Sequence, residues 1–244
     1  MPDLPQTRIG TVLTLRGAVS AELFAEPFDF VWIDLEHAAL SSADAQDMIL
    51  GAQAAGTAAL VRLRCDAFSS MTHVLDAGAD GIVLADVPDA DTVREVVTRI
   101  THPPHGVRGW GPRRSGLRGR TRGRAPATPL LWTQIESPAG VEAVERIAAV
   151  PGVDTVVVGT ADLSLALGVP QRFDAPELLA AVDRVRSAAI AHGTEFGVAG
   201  PLTTAPHDLV RAASILCHST DARMAASGAD SAAATLRQHA KENS

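Results

Sequence analysis

The chain has no tyrosine and almost no lysine: of its 21 basic residues 20 are arginine, and the one lysine, Lys241, lies in the polar tail RQHAKENS. A Schiff-base enzyme needs a lysine amine held in a desolvated pocket, so no Schiff-base lysine is expected. If the protein forms a carbanion or an enolate, a metal ion is the natural substitute for an iminium. The two cysteines, Cys65 and Cys217, are far apart and form no metal-ligand pattern, as expected for reduced thiols inside a cell. No apolar run reaches the roughly 18 residues of a membrane helix. The opening MPDLPQTRIG lacks the basic-then-apolar pattern of a signal peptide. A cytoplasmic protein without membrane contact is the expectation. No GxGxxG follows the first apolar run, so no nucleotide cofactor is expected.

The composition that remains is that of a globular core: 46% apolar, 20% charged, with a net charge of −7. Short β-branched runs, near 9–15, 30–34, 59–63, 81–85, 130–136, 155–159, 195–199 and 214–218, read as strands. Ala-rich amphipathic stretches separate them, near 19–26, 42–55, 67–78, 89–101, 138–149, 176–192 and 205–213, with a last helix at about 221–240. Near-continuous apolar strands alternating with helices imply parallel strands covered on both faces. Eight such units in 244 residues predict one (β/α)8 barrel domain spanning 1–244. Punctuation agrees: Ser41 or Ser42 can cap the second helix, Pro138 can open the fifth, and Gly78 and Gly152 stand where helices should stop.

One segment is compositionally distinct. From 96 to 135 there is no acid but there are eight arginines, so the rest of the chain carries −7 − 8 = −15. Its core, about 108–126, is rich in Gly and Pro and has no periodicity, which reads as a long loop. A solvated connector is one reading; a lid attracting an anionic acceptor through Arg113 and Arg114 is another. Nucleic acid is not expected as a partner, because the protein is acidic and few aromatics lie nearby.

In a parallel barrel, chemistry gathers at the C-terminal strand ends. Asp34-Leu35-Glu36-His37 follows the second strand, Arg62 ends the third, Glu136 ends the fifth, and Gly159-Thr160-Ala161-Asp162 follows the sixth. Glu136 and Asp162, one βα unit apart, suit a hard divalent cation such as Mg²⁺ or Mn²⁺ that keeps positions open for a 2-oxo acid. Arg62 could hold charge on the keto oxygen. His37 could exchange a proton with a substrate hydroxyl. The amides of Ala161 and Asp162, if they open a helical turn, could bind a carboxylate. The bland alternatives are an Arg62 ion pair with Asp34 or Glu36, and strand-end acids that only bond loop backbones.

The runs RIGTVLTL, FDFVWIDLEHAAL, ALVRL, VLDAGADGIVL, PPHGVRGWG, TQIESPAGVEAVERIAAVPGVD and VVVGTADLSLALG resemble the HpcH/HpaI aldolase family over nearly the whole chain. These are metal-dependent class II pyruvate aldolases of the 4-hydroxy-2-oxoheptanedioate aldolase type. The resemblance implies Glu136 and Asp162 as ligands of Mg²⁺, Mn²⁺ or Co²⁺, Arg62 as the enolate-stabilising group, and His37 as the acid/base with Asp34 beside it. It implies Gly159, Thr160, Ala161 and Asp162 as substrate contacts, and Asp76 as an acid reaching a neighbouring subunit. It also implies a hexamer built as a trimer of dimers, with the last helix packed on a partner. The reaction implied is cleavage of a 4-hydroxy-2-oxo acid to pyruvate and an aldehyde, or the reverse, with oxaloacetate decarboxylation from the same enolate. A citrate-synthase-like addition and a non-catalytic scaffold are the alternatives. The chain departs from the family pattern at Thr160, where proline is usual, at Asp86, and around His218-Ser219. Asp86 and His218 therefore join Arg113 and Arg114 as candidate acceptor contacts.

Overall fold

The computed structural model describes residues 7–111, 113–115 and 128–243. Eight parallel strands close into one barrel in sequential order, β1 to β8, with β8 paired back to β1. They are β1 (Arg8–Leu13), β2 (Phe30–Asp34), β3 (Ala58–Arg64), β4 (Gly81–Ala85), β5 (Leu130–Ile135), β6 (Thr155–Gly159), β7 (Glu195–Gly200) and β8 (Ile215–Thr220). The covering helices are α1 (Ala18–Ala25), α2 (Ser42–Ala54), α3 (Phe68–Asp76), α4 (Ala90–Ile100), α5 (Pro138–Ala148), α6 (Thr160–Ala166), α7 (Pro176–His192), α8 (His207–Val210) and α9 (Asp221–Glu242). None of the described helices is long and apolar enough to cross a membrane.

The period of two along each strand sorts side chains into two cores. Outward residues such as Val31, Ile33, Val61 and Ile82 pack under the helices. Inward residues Phe30, Trp32, Leu60, Val83, Trp132, Val157 and Ile215 fill the barrel. In a chain with 4% aromatics, three of them stack here: Phe30 and Trp132 meet edge-on at 5.0 Å, and Trp32 and Trp132 at 5.9 Å. Continuing the same inward rows toward the strand ends reaches Asp34 after Trp32, Arg62 after Leu60, and Gln134 and Glu136 after Trp132. The barrel thus holds an aromatic floor beneath a polar layer.

Caps match the punctuation of the sequence. Ser41 and Asp44 form a reciprocal capping box on α2, and Pro138 opens α5 behind the Ser137 cap. Three expectations shift. Strand β1 ends at Leu13, not 15, because the buried Asp221 carboxylate takes the N–H groups of Thr14 and Leu15 at 2.8 and 2.9 Å. The helix expected over 205–213 shrinks to the four residues of α8, preceded by a 3-10 turn, Leu202–Thr204. An extra helix, α6, forms directly from the sixth strand end.

The arginine-rich stretch links α4 to β5. Links from helix to strand lie at the N-terminal rim of a parallel barrel, opposite the strand ends that carry chemistry. Its beginning packs there: Arg108 pairs with Asp76 at 2.6 Å, and Arg114 donates to Gln53 Oε1 at 2.6 Å and to the Ala77 carbonyl at 3.3 Å. Residues 112 and 116–127 of this loop lie outside the described residues.

Candidate active site

A cavity of about 260 Å³ opens at the C-terminal mouth. Its walls include His37, Arg62, Gln134, Glu136, Gly159, Thr160, Ala161 and Asp162, so seven of the eight residues named for metal, substrate and proton transfer at this rim line one cavity, together with Gln134. Asp34 sits just behind, on the same inward row of β2.

Arg62 is locked by two parallel bonds to Asp34, Nε to Oδ1 at 3.0 Å and Nη2 to Oδ2 at 2.8 Å. Such a fork fixes the guanidinium plane. Asp34 Oδ1 also accepts the N–H groups of Glu36 and His37 at 3.0 and 3.3 Å, which shapes the turn that presents the histidine. Burial by itself would raise the Asp34 pKa, but the bonds and charge of Arg62, with those two amides, hold it below the ordinary value. The ion-pair alternative for Arg62 is therefore present, and it leaves the guanidinium facing the cavity. His37 lies at the entrance, its Nε2 3.6 Å from Glu36 Oε2.

Glu136 is the most perturbed acid. Burial pushes its pKa up to about 8; Arg62 opposes this, while the negative charges of Glu36 and Asp162 add to it. Glu36 is raised too, first by burial and further by Asp34 and Asp162, against Arg62 and His37. Its buried Oε2 has no hydrogen-bond partner. Glu136 is held by Gln134 Nε2 on Oε1 at 2.5 Å and by the Asp86 N–H on Oε2 at 3.2 Å. Asp86 makes that bond from a left-handed backbone, φ 44°. Gly159 is required beside it, because a Cβ there would stand 2.3 Å from Glu136 Oε1.

Three acids thus face one another, and the guanidinium among them is already bound to Asp34. The cluster is short of positive charge and offers hard oxygen donors, which is the chemistry a divalent cation answers. Among the described residues no three His, Cys, Asp or Glu side chains form a full cage. Glu136 and Asp162 would hold such an ion with positions left for water or substrate. Cys217 also lines the cavity, but burial drives its thiol pKa far up, which excludes a thiolate nucleophile at neutral pH.

Other candidates sit elsewhere. Asp86 points into a separate cleft with Arg64 and Cys65. His218 lines a neighbouring cleft, and its Nδ1 accepts the Leu202 N–H at 2.9 Å. Asp76 and Arg114 lie at the opposite rim, as does the adjacent Arg113, and none reaches the mouth of its own barrel. Sequence reasoning missed Gln134, although its position two residues before Glu136 on one strand face could have revealed it. It also missed Gln171, Phe173 and Arg223, which arrive through a loop and the start of α9 and carry no periodic signal, and it named Ser219, at the end of β8, only as a departure from the family pattern.

The closed parallel barrel thus carries at its mouth a fixed guanidinium beside crowded carboxylates. The chain belongs to the HpcH/HpaI aldolase/citrate lyase family, whose profile matches residues 14–225. It is 36% identical over 182 residues to a 4-hydroxy-4-methyl-2-oxoglutarate aldolase of Chaetomium globosum, covering 71% of this chain and 67% of that one. It is 37% identical over 198 residues to a 4-hydroxy-2-oxovalerate aldolase of Rhodococcus jostii, covering 77% and 76%. A family member from Burkholderia cenocepacia superimposes with a TM-score of 0.86 at 28% identity, covering 96% of each chain. Class II aldolases of this family depend on a divalent metal.

Proposed function

We propose that this enzyme cleaves a 4-hydroxy-2-oxo acid between C3 and C4, giving pyruvate and a carbonyl compound, and catalyses the reverse addition. The observation that carries the reading is the buried Glu136, raised to about 8 beside Asp162 and Glu36 and next to the Arg62–Asp34 fork. A magnesium, manganese or cobalt ion held by Glu136 and Asp162 supplies Lewis acidity at the 2-oxo oxygen when bound.

The chain's own groups do the rest. The first amides of α6, which have no intrahelical acceptor, receive the substrate carboxylate. Arg62 meets the 2-oxo oxygen, where negative charge collects as the C3–C4 electron pair moves into the enolate. His37, kept in place by the turn on Asp34, takes the C4 hydroxyl proton. The new carbonyl leaves, and a proton at C3 completes pyruvate. The similarity to two aldolases favours this over the citrate-forming alternative, and the intact polar layer favours it over a scaffold. The same reading takes the protein as cytoplasmic and hexameric, a trimer of dimers. Asp76, at the far rim of its own barrel, would then serve a neighbour's site, and α9 would pack on another copy.

Proton exchange at C3 of pyruvate tests the reading without any acceptor. EDTA should abolish exchange, Mn²⁺ should restore it, and Glu136→Gln should lower it by at least about 100-fold. Exchange that ignores both chelator and Glu136→Gln would refute it.

A further inference from the structure

Arg223 lines the cavity, and it is the one described guanidinium there besides Arg62. Arg62 is committed to Asp34. Arg223 makes no side-chain ion pair or hydrogen bond among the described residues: its backbone N–H is capped by Thr220 Oγ1 at 3.2 Å, and its side chain also borders a neighbouring cleft that Asp230 lines. The nearest acid in sequence, Asp221, is fully occupied by Thr14, Leu15 and Ala222. Those same bonds weld the first turn of α9 to the end of β1, so the base of Arg223 is held rigidly even though its head is exposed. Preorganisation of this kind raises the yield of a charge contact.

The neighbouring backbone points the same way. Ser219 adopts φ 56°, a left-handed conformation uncommon for a serine. It places Ser219 and Thr220 on the cavity wall with Arg223. Glu136 and Asp162 line the same cavity. Its lining also includes the apolar side chains of Val12, Trp32 and Phe173.

We propose that Arg223, with the Ser219 and Thr220 hydroxyls, forms a second anion subsite that selects an acceptor carrying its own carboxylate. The preferred substrates are then 4-hydroxy-2-oxo acids with a carboxylate at each end. The 2-oxo acid head sits at Arg62, the carbon chain lies against the apolar side chains, and the far carboxylate meets Arg223. This deepens the aldolase reading and rests on it for turnover, but binding can be measured separately.

The test is calorimetric titration with Mg²⁺ present, comparing 2-oxoglutarate with 2-oxovalerate, which carries a methyl in place of the far carboxylate. The native protein should prefer the dianion by about 10-fold or more, in line with one charge-assisted contact. Arg223→Gln should bring the preference below about twofold, and Arg223→Lys should keep part of it. A preference that survives in Arg223→Gln, or is absent from the native protein, would overturn the subsite. In parallel, the kcat/KM ratio for 4-hydroxy-2-oxoglutarate over 4-hydroxy-2-oxovalerate should fall with the binding preference. A native protein that turns over neither substrate yet shows the Arg223-dependent preference would count against the lyase and for the subsite.

Discussion

Glu136 shows how one side chain can report the state of the whole site. In the folded, metal-free protein it holds its proton up to about pH 8, whereas an ordinary glutamate loses it near 4.5. Between those values the folded chain binds more protons than the unfolded chain, so stability falls as pH rises through the window. Chelator-treated protein should therefore have a lower urea midpoint at about pH 9 than at about pH 6, with Glu136→Gln flattening that slope. A slope unchanged by Glu136→Gln would place the excess proton elsewhere. The identity of Glu136, Asp162, Arg62 and His37 as rim residues was legible in the sequence, because each follows directly on an apolar strand run. The support of Glu136 was less legible. Gln134 shares its strand, but the Asp86 amide comes from fifty residues away, and neither a left-handed backbone nor the close approach at Gly159 leaves a pattern in composition.

Among the elements, the junction of β1, β8 and α9 is held by one buried carboxylate. Asp221 accepts from the backbone of Thr14, Leu15 and Ala222 and from the Thr14 hydroxyl. Asp221→Ala removes the acceptor of three part-buried amides and should cost about 1.5–3 kcal/mol, given what hydrogen bonds to a charged group are worth. Hydrogen exchange should quicken first at the Thr14 and Leu15 amides; a uniform loss of protection across the barrel would contradict a local role. The same contact explains why the first strand looked longer in the sequence than it is. VLTL has strand propensity throughout, but a residue more than 200 positions away ends the ladder. Helix α6 was legible only as a motif, since seven residues give too little periodicity to count. The expected helix at 205–213 contains Pro206 and a histidine-led turn, and there local chemistry outweighed pattern.

For the whole molecule, the order of elements decides which face a segment serves. The arginine-rich loop invited a role at the mouth by its charge alone, yet its place between a helix and a strand sends it to the far rim. That rule could have been applied to the sequence itself. Helix α9 raises the opposite question, because Asp221 is its one buried residue and most of its remaining length is exposed. A helix of 22 residues is rarely stable alone in water without packing. Removing residues 226–244 should therefore produce a smaller species in light scattering while the barrel keeps its circular dichroism. Unchanged particle mass would mean that α9 takes no part in assembly.

The stacked rings of Phe30, Trp32 and Trp132 close the barrel from below. The chamber above them is a cul-de-sac, so whatever enters and whatever departs must use one doorway. On the proposed reading, with the 2-oxo acid end at Arg62 lodged deepest, the fragment nearest the doorway would leave first and pyruvate would follow. The traffic order of the reaction is thus written by three aromatic rings that never touch the bond being broken.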